Sequence, residues 1–289
     1  MLATLSELRS FVQLQRLSGK RIGLVPTMGA LHDGHLSLVK LSNEQCDTTI
    51  VTIFVNPAQF GPNEDFARYP RTLENDLRLL ESTGSPAVFV PHVAEMYPEG
   101  FGTSIHVGGV SAMLEGAIRP SHFDGVSTVV LKLLLASQAD VGFFGQKDYQ
   151  QLCVIKKMVT DLNVPVEIVM GPTVREPDGL AMSSRNRYLS ESERHQAVIL
   201  SQSLTEAERM IVTENICSAE TIRQTIRAKI LSAGVMTIDY IAIADPVTLK
   251  ELSEIAEEAV ILLAVRLGTT RLIENRLVLR QANSSFPSG

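Results

Sequence analysis

Residues 48–55, TTIVTIFV, form a nearly continuous β-branched and apolar run. A strand with one wet face alternates apolar and polar side chains. A run without that alternation suits a strand buried on both faces, the condition of a parallel sheet covered by helices. The flanking segments supply the covers. Residues 22–25 read as a strand and 36–46 as a helix packed through Leu36, Val39 and Leu41. Downstream, 73–82 read as an amphipathic helix, 87–90 as a short strand, 123–137 as a strongly apolar helix, 141–144 as a strand, 149–162 as a helix and 166–170 as a strand. An opening helix over 4–17 carries Leu5, Leu8, Phe11, Val12, Leu14 and Leu17 at helical spacing. Alternation sustained this far predicts an α/β chain with a doubly wound parallel sheet.

The texture changes near residue 187, so two domains are expected, 1–186 and a smaller α+β domain over 187–289. Ser190 and Glu193 form a capping box for a helix from 191 to about 211. A second helix over 220–231 puts Ile222, Ile226 and Ile230 on one face. Strands follow over 237–244, 259–265 and 270–279, and the polar tail 281–289 is expected to fray.

Composition narrows the function. At 289 residues, with 45% hydrophobic and 20% charged residues, the chain is ordinary globular protein. A net charge of −6 without a basic block argues against nucleic acid as partner. No apolar run approaches the ~20 residues that cross a bilayer. The N-terminus lacks the layout of a signal or transit peptide. Cys46, Cys153 and Cys217 show no disulfide or zinc spacing, which fits a reducing, cytoplasmic setting.

In a doubly wound sheet, ligands sit beyond the carboxyl ends of the strands. Four such places are loaded with chemistry. After the first strand comes Met28-Gly29-Ala30-Leu31-His32-Asp33-Gly34-His35, a glycine loop leading to a helix start with two imidazoles on one side. Phosphate suits a helix N-terminus with open N–H groups, and Gly29 and Gly34 are expected to let it approach. A lone His-x-x-His pair is also compatible with a surface or zinc site, although zinc lacks a third ligand here. No Walker-type loop and no G-x-G-x-x-G occurs. After the second strand comes the segment with Asn56 and Gln59. After the strand ending at 144 come Gly145-Gln146-Lys147-Asp148, with Gln151 one turn later. After 170 come Val174 and then Met182-Ser183-Ser184-Arg185. Taken alone, Lys147 could be a solvated lysine and Arg185 a salt-bridge partner.

These residues resemble a known family. His32-Asp33-Gly34-His35 is similar to the HIGH signature of the nucleotidyltransferase superfamily, and Met182-Ser183-Ser184-Arg185 to its KMSKS counterpart. Together with Asn56-Pro57-Ala58-Gln59-Phe60, Tyr69-Pro70-Arg71-Thr72, His122-Phe123-Asp124-Gly125 and Lys147-Asp148-Tyr149-Gln150-Gln151, they resemble the pantothenate synthetase family in order and over most of the chain.

The resemblance implies a Rossmann-like N-terminal domain binding nucleotide and pantoate, a smaller C-terminal domain and a homodimer. It implies condensation of pantoate with β-alanine using ATP and Mg2+, through a pantoyl-adenylate, with AMP and pyrophosphate released. By resemblance, ATP lies along Met28, Gly29, Ala30, Leu31, His32, Asp33, Gly34 and His35, along Gly145, Gln146, Lys147 and Asp148, and along Val174, Met182, Ser183, Ser184 and Arg185. Gln59 and Gln151 hold pantoate, β-alanine also sits near Gln59, and His35 is the proton donor. Gln146 departs from the glutamate more usual in the family at that position.

The chemistry fits these types. Attack of a carboxylate on the α-phosphate builds negative charge, and His32, His35, Lys147 and Arg185 are donors for it. A glutamine amide can donate to a carboxylate and accept from a hydroxyl. Asp76 is the candidate magnesium ligand, since Mg2+ takes few protein carboxylates. The segment 56–71, rich in Gly, Pro and Asn, suits a lid that excludes water from a labile adenylate. Two alternatives stand beside this: an adenylyl or nucleotidyl transferase acting on another small acid or a phosphate acceptor, and a catalytically silent nucleotide sensor.

Overall fold

The computed structural model describes residues 1–280 apart from 63, 85 and 236, so the tail expected to fray lies outside the described residues. Two compact units emerge. The first comprises Met1–Val174 and Met182–Ser184, the second Arg175–Ala181 and Arg185–Gly289.

In the first unit, helix α1 (Leu5–Leu17) starts on a capping box between Thr4 and Glu7, and β1 (Ile22–Thr27) follows. Then come α2 (Asp33–Gln45), β2 (Thr48–Ile53), α3 (Leu73–Glu81), β3 (Ala87–Phe89) and the short α4 (Val93–Met96) and α5 (Glu115–Ile118). The unit continues with α6 (His122–Ser137), β4 (Val141–Gly145), α7 (Tyr149–Asp161) and β5 (Glu167–Gly171). The five strands are all parallel, in the order β3-β2-β1-β4-β5. From Thr49 onward every residue of β2 is buried, as its unalternating sequence requires. The two short helices leave no mark in the sequence, because four residues carry too little periodicity to register.

This strand order puts β1 and β4 side by side at the centre, with the chain running outward from them in opposite directions. Their carboxyl ends, Thr27 and Gly145, flank the switch point where such sheets form a crevice. The segments carrying His32, His35, Lys147 and Asp148 leave the sheet there.

The second unit packs α8 (Glu191–Val212) and α9 (Ala219–Ser232) on an antiparallel sheet of β6 (Thr237–Ala244), β7 (Glu258–Leu267) and β8 (Thr270–Leu279). Ser190 caps α8 with Glu193. Its core joins Leu200, Leu204 and Ile226 to Ile261 and Leu263, and takes in Leu180 from the 175–181 segment. That segment is a hairpin whose Arg175 donates to both oxygens of Glu274, at 2.9 and 3.1 Å, and to the Gly179 carbonyl at 3.0 Å. Glu274 is 2% exposed, so that guanidinium replaces much of the water its carboxyl group gives up on burial. Glu274→Ala is therefore expected to lower stability by about 2 kcal/mol or more, seen as a lower urea midpoint, because it strands Arg175 and empties a buried site.

Candidate active site

The loop after β1 is shaped by a carboxylate on another element. Asp76, in the first turn of α3, is fully buried. Its Oδ2 accepts the Ala30 N–H at 3.0 Å, and its Oδ1 accepts the Leu31 N–H at 2.9 Å and the Thr72 hydroxyl at 3.1 Å. Ala30 is held at φ +51°, in the left-handed region that a non-glycine residue adopts only when its surroundings enforce it. Gly29, at φ +82°, passes so near that a Cβ there would lie 3.1 Å from Asp76 Oδ2. The room left by Gly29 thus admits the protein's own carboxylate.

Asp76 does not fit the role of magnesium ligand. Both of its oxygens are engaged in hydrogen bonds inside the protein, and water cannot reach it. Among the described residues no cluster of three or more His, Cys, Asp or Glu is placed to hold a metal ion.

Several backbone donors after β1 are engaged internally, so the helix N-terminus is less open than its glycines alone suggest. The Gly29 N–H goes to Thr27 Oγ1, the His32 N–H to His35 Nδ1 at 3.3 Å, and the Gly34 N–H to His32 Nδ1 at 3.2 Å. A Cβ on Gly34 would meet the His32 ring at 2.9 Å. The two imidazoles therefore cap α2 themselves, with ring centroids 4.1 Å apart. A ring whose Nδ1 accepts a backbone N–H carries its proton on Nε2. The backbone bonds on Nδ1 thus fix the direction in which each ring presents its Nε2–H.

The His35 ring is kept neutral. Burial chiefly, helped by neighbouring His32 and Lys147 and opposed by Asp148, pushes its pKa down to about 3. The same interactions bring Lys147 and Asp148, on the 3-10 turn Gln146–Asp148 after β4, within electrostatic reach of His35. Lys147 Nζ lies 3.7 Å from Asp148 Oδ1, and Gly145 and Gln146 are partly buried beside them. Met182 lies by α2, its Cβ 4.0 Å from where a Gly34 Cβ would stand, and its N–H donates to Val174 O at 3.0 Å. Ser183 and Ser184 continue that stretch. Arg185, partly buried, belongs to the second unit, where Asn186 donates to Glu176 and to Ala181 O.

Gln59 is buried, at the end of the 3-10 turn Pro57–Gln59 after β2. Its amide orientation is set by Asn56, whose own orientation follows from backbone partners. Asn56 Oδ1 accepts the Ala58 N–H and its Nδ2 donates to Gly125 O. Nδ2 also donates to Gln59 Oε1 at 3.0 Å. Gln59 Nε2 then points to Met28 Sδ at 3.1 Å, a weak acceptor. Gly125 makes this arrangement possible, since a Cβ there would lie 2.2 Å from Ala58 O.

Of the adjacent glutamines on α7, Gln150 is buried and commits its amide to Val110 O, Met113 O and the Glu115 N–H. Gln151 is left partly exposed. Gln59 has two partners whose contacts with it are not legible in the sequence: Asn56, and His122 at the start of α6, whose Nδ1 lies 2.8 Å from Gln59 O. Only the histidine and glycine within His122-Phe123-Asp124-Gly125 hinted at it.

The family model described as Pantoate-beta-alanine ligase matches residues 1–277. A pantothenate synthetase from Thermoanaerobacter sp. (strain X514) is 52% identical over 273 residues, covering 94% of this chain and 96% of the relative. Among solved structures, pantothenate synthetase from Thermus thermophilus superposes with a TM-score of 0.89 at 45% identity, covering 95% of this chain and 98% of that one. A pantoate-beta-alanine ligase from Francisella tularensis, complexed with beta-gamma ATP and beta-alanine, gives 0.78 at 34% identity, covering 96% and 97%.

Two outcomes are expected. Asp76→Ala should free the loop after β1 and lower kcat/KM for ATP by about tenfold or more, because two backbone N–H groups lose their acceptor. Acid should destabilise the protein early. His35 and His122, with pKa values pushed from 6.5 to about 3 and about 4, stay neutral while the unfolded chain takes up protons. Their contribution is complete above pH 6.5 and is lost as pH falls toward those folded values. Thermal melts from about pH 7 down to about pH 5 should show it, with a shallower slope in the His35→Gln/His122→Gln double variant. Equal slopes would refute the neutral assignment.

Proposed function

The chain belongs to the pantoate-beta-alanine ligase family and is an ATP-dependent acid–amine ligase, and we propose that it condenses pantoate with β-alanine through the side chains gathered at the carboxyl ends of β1, β2 and β4. The observation that carries this reading is that the carboxyl ends of neighbouring strands carry a neutral imidazole pair, a lysine–aspartate step and a buried glutamine whose amino group points toward Met28, after β1.

In the proposed first step, a pantoate carboxylate oxygen attacks the α-phosphorus of ATP. The new O–P bond forms as the bond to pyrophosphate breaks. Negative charge grows on phosphate oxygens, where His32 and His35 offer Nε2–H donors and Lys147 a positive charge. His35 serves here as a neutral donor of a hydrogen bond. Gln59 and Gln151 orient the hydroxy acid, and Ser183, Ser184 and Arg185 the phosphates. The neutral amine of β-alanine, also near Gln59, then attacks the acyl carbon, AMP leaves and the amine proton is released. Support for Gln59 near β-alanine comes from its buried, pre-oriented amide.

Mg2+ is proposed to arrive with ATP and would supply neutralisation of phosphate charge there; Asp76, already committed, would not be its ligand. The first unit is assigned to nucleotide and pantoate, and the resemblance supports a homodimer. The three cysteines are free, which favours the cytoplasm. No described helix is long and apolar enough to cross a membrane.

The test is AMP release with Mg-ATP and pantoate, with and without β-alanine. AMP and pantothenate formed in equal amounts, dependent on both acids, are expected. His35→Ala should lower kcat by about a hundredfold or more with ATP still bound, as for removal of one preorganised donor. AMP formed with neither acid required would sink the ligase reading, and pyrophosphate release driven by a phosphate acceptor would favour a nucleotidyltransferase.

A further inference from the structure

A chain of polar contacts lies behind Gln59 that none of the residues assigned above accounts for. Glu64 accepts from Arg119 twice, Nε to Oε1 at 2.7 Å and Nη2 to Oε2 at 2.6 Å. Arg119 Nη1 lies 3.1 Å from His122 Nε2, and His122 Nδ1 lies 2.8 Å from the Gln59 carbonyl. Direction follows from the partners. A carbonyl only accepts and a guanidinium only donates, so His122 must donate from Nδ1 and accept at Nε2. Only a neutral ring does both.

The local backbone is built around this bridge. Arg119 and His122 are drawn together by a turn in which the His122 N–H donates to Arg119 O, and Ser121 within it sits at φ +68°. A non-glycine residue there marks a conformation enforced by its surroundings. One turn on, Gly125 lets α6 touch the Ala58–Gln59 backbone directly. The His122 bond is thus made at the residue whose side chain is to meet the acid.

We propose that His122 and Arg119 are positioning residues for Gln59: they hold its backbone, and Asn56 its side-chain amide, so that its amino group meets the carboxylic acid substrate in a preset direction. Glu64 locks the guanidinium and ties the middle of the 56–71 segment to the start of α6. A glutamine so held loses little freedom on binding, which favours affinity for the acid over affinity for nucleotide. The inference rests on the assignment of pantoate to Gln59, and its test separates the two.

Steady-state constants for pantoate and ATP would be measured for His122→Phe, His122→Asn, Arg119→Gln and Gln59→Ala, with a thermal melt of each. His122→Phe fills the same space without hydrogen bonds and is expected to raise the pantoate KM about tenfold, with the ATP KM within about twofold. His122→Asn, whose amide N–H can replace the Nδ1 donor, should recover most of the loss. Arg119→Gln should shift the pantoate KM in the same direction by less, and it decides the matter if His122→Phe does not fold. A pantoate KM unchanged in His122→Phe and Arg119→Gln while Gln59→Ala raises it overturns the positioning role alone. Equal rises for pantoate and ATP also overturn it, since they report general loosening. A pantoate KM unchanged in Gln59→Ala overturns the assignment of pantoate to Gln59 itself.

Discussion

The buried carboxylate of Asp76 is the interaction on which the site depends. One side chain on α3 takes the N–H groups of two successive residues after β1 and so dictates how the chain leaves the sheet. Burying a carboxylate is unfavourable unless its lone pairs are occupied, and here two amides and the Thr72 hydroxyl occupy them. The left-handed conformation of Ala30 follows from those bonds, and from Ala30 follows where α2 begins. Were the loop to leave the sheet otherwise, His32 and His35 would not stand over the switch point between β1 and β4.

The placement of protons is the second theme. His32 and His35 each receive a backbone N–H on Nδ1, whereas His122 gives a proton from Nδ1 and receives one on Nε2. Three histidines thus hold two different tautomers, each set by whether the partner can donate or only accept. Burial keeps His35 and His122 from charging near neutral pH, so they act as oriented dipoles. An oriented neutral donor in a dry site stabilises developing charge without reorganising when the reaction occurs.

The second unit relies on related physics for a different purpose. Arg175 and Glu274 pair where solvent is scarce, and Glu176 gathers Asn186 and Arg194. The 175–181 hairpin is thereby fixed to the second unit, although the residues on either side of it, Val174 and Met182, belong to the first. Ion pairs at this degree of burial set geometry more than they add stability.

The order and kind of nearly every long element were legible in the chain: the unalternating run over 48–55 announced a doubly covered strand, and Ser190 with Glu193 announced the start of α8. The motif residues were legible as well, because glycines, imidazoles and a lysine after strands are visible without coordinates. Their hydrogen-bond partners were not. Asp76 reads as a candidate magnesium ligand, yet it is a loop brace, because its partners are backbone amides 45 and 46 residues away. Gln150 and Gln151 look alike in sequence, and only packing shows that the first is committed to Val110 and Met113. His122 becomes significant only once α6 lies against Gln59. Sequence alone determined which chemical groups the protein has and at which strand ends they emerge, since periodicity and turn chemistry are local. Tertiary structure decided which of those groups are already satisfied and which are left to meet a ligand, because a hydrogen bond between distant segments leaves no local trace.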